Sequence, residues 1–214
     1  MSNPTLSQSN PKRDPDKTRE AILMAAFQEI HRHGFQAAGL DSILAAAGVT
    51  KGALYHHFDN KAALGYAIID ELISQMIHES WLNHLDPLAD PIDQLQQVLK
   101  THMESAECED IELGCPLYNL IQEMSPIDEG FRLRLSRVVE QWRDGVARAL
   151  RQGQEQGFVN PALDPRKTAT FFVAAVEGAI GMVKVANDQS VAVEAAESLI
   201  TYLDTLRAEA EVAA

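Results

Sequence analysis

The stretch AAGVTKGALYHHF, residues 46–58, decides how this chain is read. Gly48 ends one helical pattern, and Thr50 has the side chain to cap the next, with only Ala47-Gly48-Val49-Thr50 between them. A helix over 51–57 makes about two turns. Leu54 and Phe58 are four apart and share a face, which Val49 joins from just before the helix. Lys51, Gly52, Tyr55 and His56 then point away from the core, and apolar spacing does not explain them.

Upstream, Asp14 or Asp16 is placed to cap a first helix, with Pro15 near its start. Ile22, Leu23, Ala26, Phe27 and Ile30 form its apolar stripe, and Gly34 stops it. A second helix at about 40–47 carries Leu40, Ile43, Leu44 and Ala47. Two short helices around a tight glycine turn, braced by a longer one, make the helix-turn-helix pattern. The outward residues suit DNA. Gly52 permits close approach of the backbone, and the amides of a helix N-terminus favour phosphate oxygens. Lys51 reaches a phosphate or a guanine edge, Tyr55 and His56 donate to phosphates, and Lys61 pairs with a phosphate on the flank. Taken singly, each is an ordinary surface residue; the joint arrangement points to DNA.

Downstream, a long helix runs from Asn60 to about 84, with Leu64, Ala67, Ile68, Leu72, Met76 and Ile77 on one face. Asp86-Pro87 and Asp90-Pro91 break the chain before a fifth helix at 91–106. The acidic link ECEDIELG leads to a sixth at 116–124. Ser125-Pro126 starts a seventh, which runs to about Gly157, Asp164-Pro165 starts an eighth, and Gln189 or Ser190 a ninth. No stretch alternates as a strand. The pattern predicts an all-α chain of about nine helices: a disordered arm at 1–13, a helix-turn-helix DNA-binding domain at 14–60, and a helical ligand-binding and dimerisation domain at 61–214.

Composition bounds the function. The chain of 214 residues carries a net charge of −13, unevenly placed. Residues 1–65 hold 7 basic and 6 acidic residues, and residues 66–214 hold 11 and 25. A polyanion is tolerated at the N-terminal segment and repelled by the body. The polar start does not resemble a signal peptide, no apolar run is expected to reach membrane-spanning length, and a cytoplasmic location is expected. Cys108 and Cys115 fit a reducing compartment. No nucleophile elbow, zinc-protease motif, P-loop or dinucleotide glycine pattern is present, so neither an enzyme nor a cofactor is expected. His56 and His57 point about 100° apart on a helix and cannot chelate one ion together; His31 and His33 fare no better, so no metal is expected.

The segment TREAILMAAFQEIHRHGFQAAGLDSILAAAGVTKGALYHHFDNKAAL, residues 18–64, resembles the DNA-binding domain of the TetR family of bacterial transcription regulators. The resemblance implies that the third helix is the recognition helix. By it, Thr50, Lys51, Gly52, Tyr55 and His56 lie against double-stranded operator DNA, and Lys61 binds phosphate. The family usually has Thr or Ser near positions 38 and 39, where Ala38 and Gly39 stand, so Asp41 or Ser42 is expected to cap the second helix. It further implies a homodimer through the eighth and ninth helices, where Ala174, Gly178 and Gly181 allow close helix approach, and repression as the usual mode. A small-molecule effector is expected in a cavity of the body. Its candidate lining is Met76, His78, Trp81, His102, Met103, Tyr118, Trp142, Phe171, Phe172 and Glu177.

GCPLYNLIQEMSPIDEGFRLRL, residues 114–135, is similar to a subgroup with a Gly-Cys pair before the sixth helix, some of whose members sense oxidants or electrophiles through the cysteine. That makes Cys115 a redox-sensing candidate, although Glu107, Glu109, Asp110 and Glu112 oppose its ionisation. Two alternatives to a ligand-released repressor stand: a cysteine-based sensor regulator, and an all-helical small-molecule-binding protein or enzyme without DNA binding.

Overall fold

Asp14 accepts the backbone N–H of Asp16 at 3.1 Å and starts the first helix, α1 (Pro15–His33), in the computed structural model, which describes residues 14–105 and 108–209. The proposed arm at 1–13 lies outside the described residues. α2 (Leu40–Ala47) and α3 (Lys51–His57) have the expected bounds. Gly48 between them sits at φ 61, ψ 41, a left-handed conformation that glycine adopts without steric cost. Thr50 caps α3, its hydroxyl accepting Ala53 N–H at 3.2 Å. α2 is capped neither by Asp41 nor by Ser42. Its N-cap is Gly39, which makes no side-chain cap bond, while its own N–H donates to Glu29 Oε1 at 3.1 Å. Ile22, Ala26, Ile43, Leu54, Phe58 and Leu64 are buried in this head.

Asn60 caps the next helix by accepting Ala63 N–H at 2.8 Å. The helix runs as α-helix over Lys61–Ala67, as a π-helical stretch over Ile68–Ile73, and as α-helix again over Ser74–Ser80; we label the whole rod α4. The π stretch resets the helical phase, and Ile68, Ile69, Ile73 and Ile77 all reach the core. A 3₁₀ turn, Leu82–His84, closes the segment beyond Trp81.

The body continues with α5 (Pro91–Ser105), α6 (Cys108–Leu113), α7 (Pro116–Met124), α8 (Glu129–Glu155), α9 (Pro165–Ala186) and α10 (Gln189–Asp204). Proline leads α1, α5, α7 and α9, positions where its missing N–H costs no hydrogen bond. Three expectations are corrected. The acidic link contains the short helix α6. α8 starts at Glu129 and not at Ser125-Pro126, because Asp128 is its cap, accepting Phe131 N–H at 3.0 Å. α9 is long and apolar enough to cross a membrane by length and composition, and a third of that window is buried inside the protein. Among the described residues there is no strand, only an isolated bridge between Val159 and Arg207.

Head and body meet around Gly65. A Cβ there would lie 2.6 Å from both the Phe35 and the Phe131 rings, so only glycine lets the two rings close on α4. The rings pack edge-on with centroids 4.6 Å apart. Arg19 of α1 adds a two-pronged ion pair to Glu71 of α4, at 2.7 and 2.5 Å.

Candidate nucleic-acid interface and ligand cavity

Leu54 and Phe58 anchor α3, each under 5% exposed, and thereby fix which way its other side chains face. Thr50, Lys51, Gly52, Tyr55 and His56 are all exposed, on one end and side of the helix. Tyr55 keeps 41% of its surface in solvent, with the Lys51 ammonium 5.9 Å from its ring centre. A Cβ on Gly52 would meet only the Thr50 hydroxyl, at 3.9 Å, so this face is open. Thr50 accepts as a cap and still has its hydroxyl proton to donate.

Lys61 makes contacts within the protein that the sequence reading did not foresee. Its ammonium donates to the carbonyls of Gln36 at 3.2 Å and Ala38 at 2.7 Å, and sits 5.0 Å from the Phe35 ring centre. It ties the α1–α2 loop to the start of α4. One of the three ammonium N–H donors is left for a phosphate.

Two contacts join this loop region to the body, and the sequence reading missed both. The Glu123 carboxylate of α7 accepts Phe35 N–H and Gln36 N–H, each at 2.8 Å, one on each oxygen. His31 Nε2 of α1 donates to the Gly114 carbonyl at 2.8 Å. A helix-terminal histidine and a glutamate on an amphipathic helix carry no motif that signals a partner over 80 residues away.

Gly114 and Cys115 form part of the wall of an open-mouthed cavity of about 350 Å³ lined by residues of α4 to α10. Met76, Trp81, His102, Met103, Trp142 and Glu177, all expected there, line it. Trp81 organises the floor, stacking on His102 at 4.8 Å and meeting Trp142 at 5.0 Å and Phe172 at 5.7 Å between ring centres. Burial lowers the His102 pKa. Four expected residues are elsewhere. His78 faces an outer groove beside Glu79 and Asn83. Tyr118 lines a separate cleft against the end of α1. Phe171 is 54% exposed against Tyr202, and Phe172 is buried behind Trp81. Adjacent helical residues point about 100° apart, so Phe171 and Phe172 could not share one wall.

Glu177 is the acidic residue lining this cavity, and burial pushes its pKa up to about 7. The Cys115 thiol donates to Glu177 Oε1 at 3.3 Å. Burial first, and the neighbouring carboxylate second, push the thiol pKa well above its usual value. These conditions disfavour the thiolate that a reactive cysteine needs. Of the acidic neighbours once weighed against ionisation, Glu107 lies outside the described residues, and Glu177 on a distant helix supplies the opposing carboxylate.

Residues 22–68 match the family model for bacterial regulatory proteins of the tetR family, and residues 91–199 match that for the tetracyclin repressor-like C-terminal domain. The chain belongs to the TetR family. Among its relatives is the transcriptional regulator AcuR of Cereibacter sphaeroides, 30% identical over 178 residues, covering 81% of this chain and 80% of the relative. The HTH-type transcriptional repressor DhaR of a Mycobacterium species is 29% identical over 167 residues, covering 78% and 82%. The crystal structure of regulatory protein TetR from Rhodobacter sphaeroides superposes with a TM-score of 0.77 at 28% identity, covering 86% of this chain and 98% of that one.

As a TetR-family protein the chain is a ligand-responsive, DNA-binding transcription regulator. Its α9 presents an apolar stripe to solvent: Phe171, Ala174, Gly178, Met182 and Val185, with Val185 81% exposed. A Cβ added at Gly178 or Gly181 would meet nothing within 4 Å, so packing inside the protomer does not require either glycine.

Proposed function

We propose that this TetR-family regulator binds operator DNA as a homodimer and is released by a small apolar effector, acting as a repressor. Thr50, Lys51, Gly52, Tyr55 and His56 enter the major groove, and Lys61 adds one flanking phosphate contact. The observation that carries this reading is the sidedness of α3: its apolar residues are spent in the head, and its polar ones face outward with no partner helix over them. The acidic body favours an approach by the head alone, since 25 of its residues are acidic against 11 basic. The exposed stripe of α9, with Ala174, Gly178 and Gly181, is the proposed seam between protomers. It joins two heads at the spacing of about 34–36 Å that successive major grooves demand. The relatives' printed descriptions as regulator and repressor agree with this reading.

Fluorescence anisotropy with labelled DNA from upstream of its own gene tests it. The wild type binds, and Tyr55→Ala and Lys51→Ala each weaken binding about tenfold while melting as the wild type does. Unchanged affinity in both variants overturns the assignment of this face.

A further inference from the structure

The cavity is apolar along most of its wall, with two unpaired polar atoms in the residues that line it. Trp142 is 1% exposed, and its indole Nε1 donates to no group. Glu177 is 5% exposed, and its Oε2 accepts from none, the Cys115 thiol being bonded to Oε1. Among the described residues one further side-chain atom is in this state, Gln94 Oε1, and Gln94 does not line the cavity. The large majority of buried donors and acceptors are paired, because water's hydrogen bonds have been given up and nothing else replaces them. Both atoms belong to residues that line one cavity and lie just beneath the surface a water molecule reaches, so a ligand that shifts the side chains covering them meets one unpaired donor and one unpaired acceptor.

We propose that the effector is an uncharged apolar molecule bearing one group that both donates and accepts, a hydroxyl or an amide, which donates to Glu177 Oε2 and accepts from Trp142 Nε1. The proposal rests on reading this cavity as the effector site. Other charge types fit less well. An ammonium satisfies Glu177 but has no lone pair for the Trp142 N–H. A carboxylate accepts from Trp142 but has no proton to donate to Glu177 Oε2. The rest of the wall, with Met76, Leu99, Met103, Ile180 and Leu199, asks for an apolar body. The volume of about 350 Å³ lies at the small end of ligand pockets. Burial holds the Glu177 carboxyl near neutral pH in its titration, so a donated hydrogen bond on binding settles it as the carboxylate.

Calorimetric titration with a matched naphthalene series tests the proposal: 2-naphthol, naphthalene-2-carboxamide, 2-methoxynaphthalene, 2-methylnaphthalene and 2-naphthylmethylammonium. In the wild type, the naphthol and the carboxamide bind at least about tenfold tighter than 2-methylnaphthalene and release DNA. Glu177→Leu cuts that advantage to the level of the methyl ether, which keeps only the Trp142 bond, and leaves 2-methylnaphthalene binding unchanged or tighter. The methyl ether accepts but cannot donate, so it loses affinity in Trp142→Phe and not in Glu177→Leu. Should Trp142→Phe fail to fold, the Glu177→Leu arm stands alone. Equal binding of naphthol and 2-methylnaphthalene, with DNA release by both, overturns the polar complement and leaves the cavity reading standing. Tightest binding by the ammonium, indifferent to Trp142→Phe, overturns it in favour of a cation. Failure of the whole series to bind overturns the cavity reading itself. A crystal structure of the naphthol complex adds a direct check: the hydroxyl lies within hydrogen-bond distance of both atoms, and a water bridging them in its place overturns the proposal.

Discussion

The imidazole of His31 donates to the carbonyl of Gly114 at 2.8 Å, and Gly114 is a wall residue of the proposed ligand cavity. One hydrogen bond thus ties the last turn of α1, in the DNA-binding head, to the rim of the pocket. A ligand that shifts residues 114 and 115 acts on the head through it, to the extent that its affinity differs between the two arrangements. His31→Ala leaves DNA affinity without effector near the wild-type value and reduces the effector's weakening of DNA binding by about fivefold. Anisotropy titrations with and without effector measure this, and an undiminished effector response counts against the link.

Lys61→Ala tests a different division of labour. Two of the ammonium's donors hold the Gln36 and Ala38 carbonyls. Removing them lowers stability by about 1–2 kcal/mol, read from urea unfolding, in addition to reducing the salt slope of DNA binding by about one counterion. A salt-slope change with no loss of stability would show that the loop does not depend on this lysine.

Gly178 faces open space in the protomer. Gly178→Leu therefore folds as a protomer and fails as a dimer, because its bulk falls on the proposed seam and nowhere in the core. Sedimentation velocity should show a monomer with wild-type helicity. A dimer of unaltered affinity excludes this stripe as the interface.

Glu177 makes stability depend on pH in a defined direction. Its folded pKa is raised by burial from 4.5 to about 7, so the folded state holds the proton more tightly than the unfolded one. Its favourable contribution is complete below about pH 4.5 and is lost as pH rises to about 7, on the order of 3 kcal/mol in all. Glu177→Gln removes the titration. The melting temperature of Glu177→Gln relative to wild type should rise between pH 5 and pH 8, and a flat difference denies the shift.

Local signals carried much of this protein. Gly48, Thr50 and Asn60 define ends of α2, α3 and α4, because a left-handed turn and two side-chain caps are settled by nearest neighbours. Leu54 and Phe58 alone decide which side of α3 faces outward, since helical period is a property of the chain. The same period located six of the ten expected cavity residues, Met76 through Glu177. It could not separate Phe171 from Phe172 or place His78, because a helix has several faces and only packing against its neighbours says which one meets the pocket. Tertiary structure alone decided that Lys61 would serve loop carbonyls, that Glu123 and His31 would bridge head and body, and that Cys115 and Glu177, 62 residues apart, would share a proton-bearing contact in a dry wall. Each joins groups distant in sequence, and the raised pKa values of Cys115 and Glu177 arise from a desolvation that exists only once the helices have closed around them.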